Sequence, residues 1–153
     1  MDNESNERLL GAWLKLCSAI WSNRILSDIL SYNEAFVCKL LFDRKKANPS
    51  KPYLPIKNLC EYTGLLKSQM NKTLNDLEKR NYIERHRFDT DRRMVYVSLS
   101  LSGEKAYLES HENTMKFVNE VSQIMGKELV LSATSSFEEV AEIVNKIIEN
   151  KGR

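Results

Sequence analysis

Between Leu66 and Leu99 the apolar spacing changes from a helical period to a period of two, and few folds accommodate that change within so short a stretch. Met70, Leu74 and Leu77 recur at steps of three and four, which predicts a helix over 66–80. Asn81 can take a left-handed conformation at its end. Ile83, Arg85 and Arg87, then Val95, Val97 and Leu99, alternate as strands do. Phe88-Asp89-Thr90-Asp91-Arg92-Arg93 lies between the two runs, so a β-hairpin with a charged tip is expected. Upstream, Pro55 suits the first position of a helix, where its missing N–H has no partner to lose. A two-turn helix over 56–62 follows, and Thr63-Gly64 ends it. Leu54 is expected as a single extended residue pair. Short helix, tight turn and second helix make the helix-turn-helix outline, followed by a hairpin.

Both flanks are helical in pattern. Leu9, Leu10, Trp13, Leu14, Leu16, Cys17, Ile20, Trp21, Ile25, Leu26, Ile29 and Leu30 predict a first helix from about 6 to about 30, apolar enough to need a partner. Ser31-Tyr32-Asn33-Glu34 has the form of a capping box before a helix over 32–46, whose apolar positions are Ala35, Phe36, Leu40 and Leu41. Ser100 is a plausible cap for a long helix over 101–125. Ser135-Ser136-Phe137-Glu138 reads as a further capping box, with the seam Phe137, Val140, Ala141, Val144, Ile147 and Ile148 behind it.

The formal net charge of +2 conceals an uneven distribution. Residues 39–105 carry fifteen Lys or Arg against eight Asp or Glu, whereas both flanks are net acidic. A basic middle between acidic ends is an electrostatic footprint for a polyanion. On the helix over 66–80, Ser68, Asn71, Lys72, Asn75 and Lys79 fall opposite the apolar face. Asn can bond the adenine edge in a major groove, Lys can reach guanine or phosphate, and Ser can bond either. Arg92 and Arg93 at a hairpin tip suit a narrow, electronegative minor groove, and Asp91 beside them can hold an arginine in place.

The run Leu66-Lys67-Ser68-Gln69-Met70-Asn71-Lys72, then Leu77-Glu78-Lys79-Arg80-Asn81-Tyr82-Ile83-Glu84-Arg85, Asp89-Thr90-Asp91-Arg92-Arg93 and Val97-Ser98-Leu99-Ser100-x-x-Gly103 resembles the recognition helix, wing and following helix start of MarR-type winged-helix transcription regulators. The resemblance covers nearly the whole chain. It implies a mainly α fold with a small β-hairpin wing: a winged helix-turn-helix over 32–100, flanked by dimerisation helices over 1–31 and 101–153. It also implies a homodimer on a pseudo-palindromic operator, acting as a repressor, with the recognition helix in the major groove and wing 88–93 in the minor groove. By position, Lys67, Ser68, Gln69, Asn71, Lys72 and Asn75 are the implied DNA contacts, with Arg92 and Arg93 at the wing and Asp91 supporting it. Leu66 and Asn81 depart from the family pattern, which has Ser or Asp at the first of these positions and Gly at the second.

Similar proteins release DNA on binding a small molecule, on cysteine oxidation or in response to a metal, and any such signal must favour one spacing of the recognition helices. Trp13, Cys17, Trp21 and Cys38 are the candidate lining of an effector pocket. Cys17 lies well over two turns nearer the second helix than the sensing cysteine of the peroxide-responsive branch, so that geometry does not carry over. Cys17, Cys38 and Cys60 suit neither a disulfide framework nor a metal knuckle. His111-Glu112 resembles part of a zinc-responsive site, but a full ligand set is missing and no metal or other cofactor is expected. No Gly-rich phosphate loop, nucleophile motif or carboxylate cluster supports an enzyme. No run spans a bilayer, and the start lacks a signal peptide's pattern, so a cytoplasmic protein without membrane contact is expected. The alternatives are a winged-helix protein-interaction module, which would expose apolar residues on the helix and tip, and a cysteine redox-sensing regulator of the same fold.

Overall fold

The computed structural model describes residues 2–22 and 29–151, with the side chains of Trp21 and Ser22 outside the described set. In chain order the elements are α1 (Asn3–Ser22), α2 (Tyr32–Ala47), β1 (Tyr53–Pro55), α3 (Ile56–Thr63), α4 (Lys67–Lys79), β2 (Ile83–Phe88), β3 (Asp91–Leu99), α5 (Leu101–Met125) and α6 (Lys127–Lys151). They form two compact units, residues 1–114 and 115–153.

In the first unit the core is built by α2, α3, α4 and the sheet. Leu30, Val37, Cys38, Leu41, Leu59, Met70, Leu74, Leu77 and Val97 are all fully buried. Each such Leu contributes about 1.5–3 kcal/mol by leaving water. On α4 the predicted stripe of Met70, Leu74 and Leu77 faces this core, joined by Thr73, whose hydroxyl donates to the Gln69 carbonyl. On α2 the buried residues are Val37, Cys38, Leu41 and Glu34, while Ala35, Phe36 and Leu40 are only partly covered. That helix is therefore rotated relative to the face read from its sequence, because Glu34 turns inward to an ion pair with Arg80.

The chain ends of these elements follow local chemistry. The Glu34 carboxylate accepts the Ser31 N–H at 2.8 Å, the expected reach back to the start of α2. Gly64, at φ +69°, ends α3. Asn81, at φ +58°, ends α4 as expected. Leu66 caps α4 without an acceptor of its own, and the Gln69 side-chain oxygen accepts its N–H at 3.1 Å. Ser100 Oγ accepts the Gly103 N–H at 3.0 Å and caps α5.

Several expectations change. The first helix starts at Asn3 and is described to Ser22; its proposed course over 23–28, with Ile25 and Leu26, lies outside the described residues, and Ile29 and Leu30 are not helical. Leu30 instead drops into the core. Pro55 is not the first residue of α3 but its cap, because it also closes β1. The sheet has three strands, not two: β1 pairs antiparallel with β3, and β3 with β2, in the order β1-β3-β2. The hairpin tip is shorter than 88–93. Phe88 pairs with Asp91, so the turn is Asp89-Thr90 alone. Arg92 and Arg93 lie within β3, in an irregular stretch where residues 92–95 face only Arg87 between the His86–Tyr96 and Phe88–Asp91 pairs.

In the second unit, Gly126 at φ +78° breaks the chain after α5, and α6 begins directly at Lys127. Ser135 and Ser136 consequently sit inside α6 rather than capping it. A capping box needs an extended residue at the helix start, and the left-handed glycine has already placed that start eight residues earlier. No residue of α6 is buried. Phe137, Val140, Ile143, Ile147 and Ile148 are all substantially exposed.

Candidate nucleic-acid interface

The sheet alternation fixes what the wing offers. Ile83, Arg85 and Arg87 share one face of β2, and Glu84, His86 and Phe88 share the other. Ile83 is buried under the core, so Arg85 and Arg87, farther along the same face, pass beside α4. Together with Lys57 of α3, Lys67 and Asn71 of α4 and Arg93 of β3, they line a groove of about 870 Å³ whose lining also includes Pro55, Ile56, Met94 and Val95. Sequence reasoning missed Lys57, Arg85 and Arg87. The signal for the two arginines was present in the period-two run itself, which places them on one face.

Two of these cations are engaged. Arg85 donates through Nη2 to Asn75 Oδ1 at 2.7 Å and approaches Glu78 at 3.5 Å. Lys57 lies 3.8 Å from Glu61. Among the described residues no carboxylate pairs with Lys67, Lys72, Arg87 or Arg93. Uncompensated guanidinium and ammonium groups on one groove raise the local positive potential more than the same charges in pairs.

The predicted contact residues of α4 are brought together on its outer side. Lys67, Ser68, Gln69, Lys72 and Asn75 are exposed and Asn71 is half-buried. Two of the six carry internal hydrogen bonds: Gln69 at the Leu66 N–H, and Asn75 under the Arg85 guanidinium. At the wing, Arg92 is held by Asp89, whose Oδ1 accepts from Nε at 3.2 Å and Nη2 at 2.9 Å. Asp91 has a different task, accepting the backbone N–H of Arg93 at 3.1 Å. The Arg92–Asp89 pair is 81% and 92% exposed, so it orients the arginine rather than stabilising the fold. Behind it Tyr53, Phe88 and Tyr96 pack as aromatic neighbours, with ring centroids 4.7 Å apart for Tyr53–Phe88 and 5.1 Å for Phe88–Tyr96, and stiffen the base of the hairpin.

The sequence profile of the MarR family matches residues 46–94, which run from the end of α2 to the groove-lining part of β3. Over 90 residues the chain is 28% identical to the HTH-type transcriptional regulator FarR of Neisseria gonorrhoeae, an alignment covering 59% of this chain and 62% of that relative. The chain thus spans about three-fifths of the length of that curated relative. Two solved structures share the fold. Sco3205, a MarR family transcriptional regulator from Streptomyces coelicolor in complex with DNA, superposes with a TM-score of 0.78 at 13% identity, covering 95% of this chain and 89% of that one. BpsR of Bordetella bronchiseptica, whose DNA binding is regulated by 6-hydroxynicotinic acid, gives 0.70 at 14% identity, covering 90% and 98%.

The candidate effector residues are scattered by comparison with this groove. Trp13 and Cys17 are one turn apart on α1, the first 49% exposed and the second half-buried. Cys38 is fully buried in the core, and that burial, with the Glu34 carboxylate nearby, pushes its thiol up to about 12. It fills space between α2 and its neighbours rather than lining a solvent-filled pocket. The Trp21 side chain lies outside the described residues. His111 stacks on Tyr107 at 5.8 Å, and among the described residues no group of three or more His, Cys, Asp or Glu could hold a metal ion. No described helix is long and apolar enough to cross a membrane.

Proposed function

We propose that the chain is a sequence-specific, double-stranded DNA-binding transcription regulator, a cytoplasmic repressor that binds a pseudo-palindromic operator as a homodimer. The observation that carries this reading is the groove in which, among the described residues, Lys67, Arg87 and Arg93 stand without carboxylate partners, between the exposed polar side of α4 and the wing. A polyanion supplies the missing counter-charge along such a surface. In this reading Lys67, Ser68, Asn71 and Lys72 meet base edges and phosphates in the major groove, and Gln69 and Asn75 set the positions of Leu66 and Arg85. Arg92 and Arg93 reach the flanking minor groove, with Asp89 and Asp91 aiming them. The cations around this groove favour nucleic acid over a protein partner, although Pro55, Ile56, Met94 and Val95 also line it. FarR, a transcriptional regulator by name, and Sco3205, solved with DNA, support the same reading.

The dimer is supported by apolar surface on the flanking helices. Leu9, Leu10, Trp13 and Leu14 of α1 and Phe137, Ile147 and Ile148 of α6 are 48–62% exposed. Such apolar stripes on long helices suit a second copy of the chain. Residues 1–31 and 101–153 are the proposed dimerisation regions, and 32–100 the DNA-binding region. The relation to BpsR supports release by a small-molecule effector, with Trp13 and Cys17 on the proposed effector side.

Selecting fragments of the source genome with the purified protein tests the reading. Enrichment of fragments that share an inverted repeat is expected. Retention of no fragment above background would remove operator binding from the account.

A further inference from the structure

Arg80 closes α4 on the far side from the wing, and it binds three places at once. Its Nη2 donates to Glu34 Oε1 in a close ion pair, and its Nη1 donates to the Ile29 carbonyl oxygen at 2.9 Å. Its Nε donates to the Asp76 carbonyl oxygen of its own helix at 3.3 Å. The guanidinium also covers the Tyr82 ring at 4.9 Å. Glu34 is almost wholly buried, with a side chain 11% exposed, and its second oxygen accepts the Ser31 N–H at the start of α2. One carboxylate therefore joins the cap of α2 to the end of α4, and one guanidinium adds the backbone of the segment that leads into α2. A planar fork satisfied on several sides has a fixed orientation that a single surface contact lacks.

We propose that Arg80 and Glu34 are a positioning pair: they fix the tilt of α4 against the start of α2, so a shift of residues 29–34 moves the DNA-reading helix. This rests on the reading of α4 as the DNA-contacting helix, but Arg80 acts through α4 rather than by touching DNA. The segment at Ile29–Ser31 is where the chain enters the DNA-binding region from the side of the proposed dimerisation helix α1. Displacement there changes what the Arg80 fork can reach, and α4 follows because its last turn has no other hold on that segment among the bonds described.

The test compares wild type, Glu34→Gln, Arg80→Gln and the double variant. Glu34→Gln keeps an oxygen for the Ser31 N–H and removes the charge and the acceptor that face Arg80. Amide exchange over residues 76–82 in the DNA-free protein is read first. Exchange about tenfold faster in each single variant, and no faster in the double, is expected for a shared interaction. Unchanged exchange in Glu34→Gln would overturn the pair, whether or not the protein binds DNA. Affinity for a genomic fragment selected by wild type is read second, across a salt series. Each single variant should bind about tenfold more weakly with an unchanged salt slope. If instead the slope falls by about one for Arg80→Gln and Glu34→Gln binds as wild type, Arg80 is a phosphate contact and the positioning role fails. Failure of wild type to select any fragment removes the DNA reading alone, and the exchange result still decides the pair.

Discussion

Gly103 lies against the backbone of Tyr82, so close that a β-carbon at residue 103 would sit 1.9 Å from the Tyr82 carbonyl oxygen. The approach is made where α5 begins and where the chain leaves α4. The Ser100 N–H donates to that same oxygen at 3.0 Å, and the hydroxyls of Ser100 and Ser102 each donate to the Asn81 carbonyl at 2.6 Å. The exit of α4 is thus bonded to the start of α5 by three hydrogen bonds and one packing contact that only glycine permits. Gly103→Ala is expected to lower stability by about 2 kcal/mol or more, because backbone rather than a flexible side-chain end must yield. Thermal denaturation measures it, and a melting temperature equal to that of wild type would show that the contact is not tight.

Asp89 and Arg92 supply the next expectation. Asp89→Asn removes the charge that holds the guanidinium while keeping an oxygen in place. For an exposed pair the effect on folding stability should be within about 0.5 kcal/mol. Operator affinity should fall severalfold through loss of orientation, and less than in Arg92→Ala, which removes the contacting group itself. Binding titrations of the three proteins on one selected fragment rank them. Equal affinity for Arg92→Ala and wild type would take the wing out of the interface.

Cys38 makes stability depend on alkaline pH. Its folded-state thiol is pushed up to about 12 from an ordinary 9.0, chiefly by burial. The unfolded chain therefore releases this proton first, the folded state binds more protons between those values, and stability falls as pH rises through that window. Denaturant unfolding of wild type should weaken more steeply above pH 9 than that of Cys38→Ala. Parallel pH profiles would mean that the thiol is not buried as described. The same burial implies that thiol reagents modify Cys38 at neutral pH only on opening of the core, which modification rates compared with the unfolding rate would show.

Lys72 is exposed on α4 and has no carboxylate partner among the described residues, so Lys72→Ala should weaken binding by a similar factor on all duplexes and reduce the salt slope by about one. Asn75→Ala should act differently. Its side chain accepts from Arg85, so its loss should leave that arginine to Glu78 alone and alter affinity without the change in slope. Salt titrations of both variants separate the two roles.

The central part of the fold was legible because its signals are local. Met70, Leu74 and Leu77 face one way by helical arithmetic alone, Gly64 and Asn81 adopt the left-handed backbone their types allow, and Ser100 caps α5 through its own hydroxyl. What was not legible depends on distant partners. Glu34 looks like a solvent-facing cap until Arg80, 46 residues later, draws it inward and rotates α2. Tyr53–Pro55 becomes a strand only because β3 offers it an edge, since three residues carry no period. Ser135-Ser136 has the composition of a helix start, but a left-handed Gly126 had already set one. In the candidate interface the polar face of α4 could be read directly. Asp89 and Lys57 could not be assigned, because their roles come from the turn register and from the packing of α3 beside α4.

Hydroxyl-radical footprinting of a selected genomic fragment, with wild type and Arg92→Ala side by side, tests the central claim most directly. Wild type should protect two half-sites about one helical turn apart, with additional protection in the flanking minor grooves, and Arg92→Ala should lose the flanking protection first. A single protected site, or flanks unchanged by the substitution, would contradict a dimer that reads DNA with α4 and the wing.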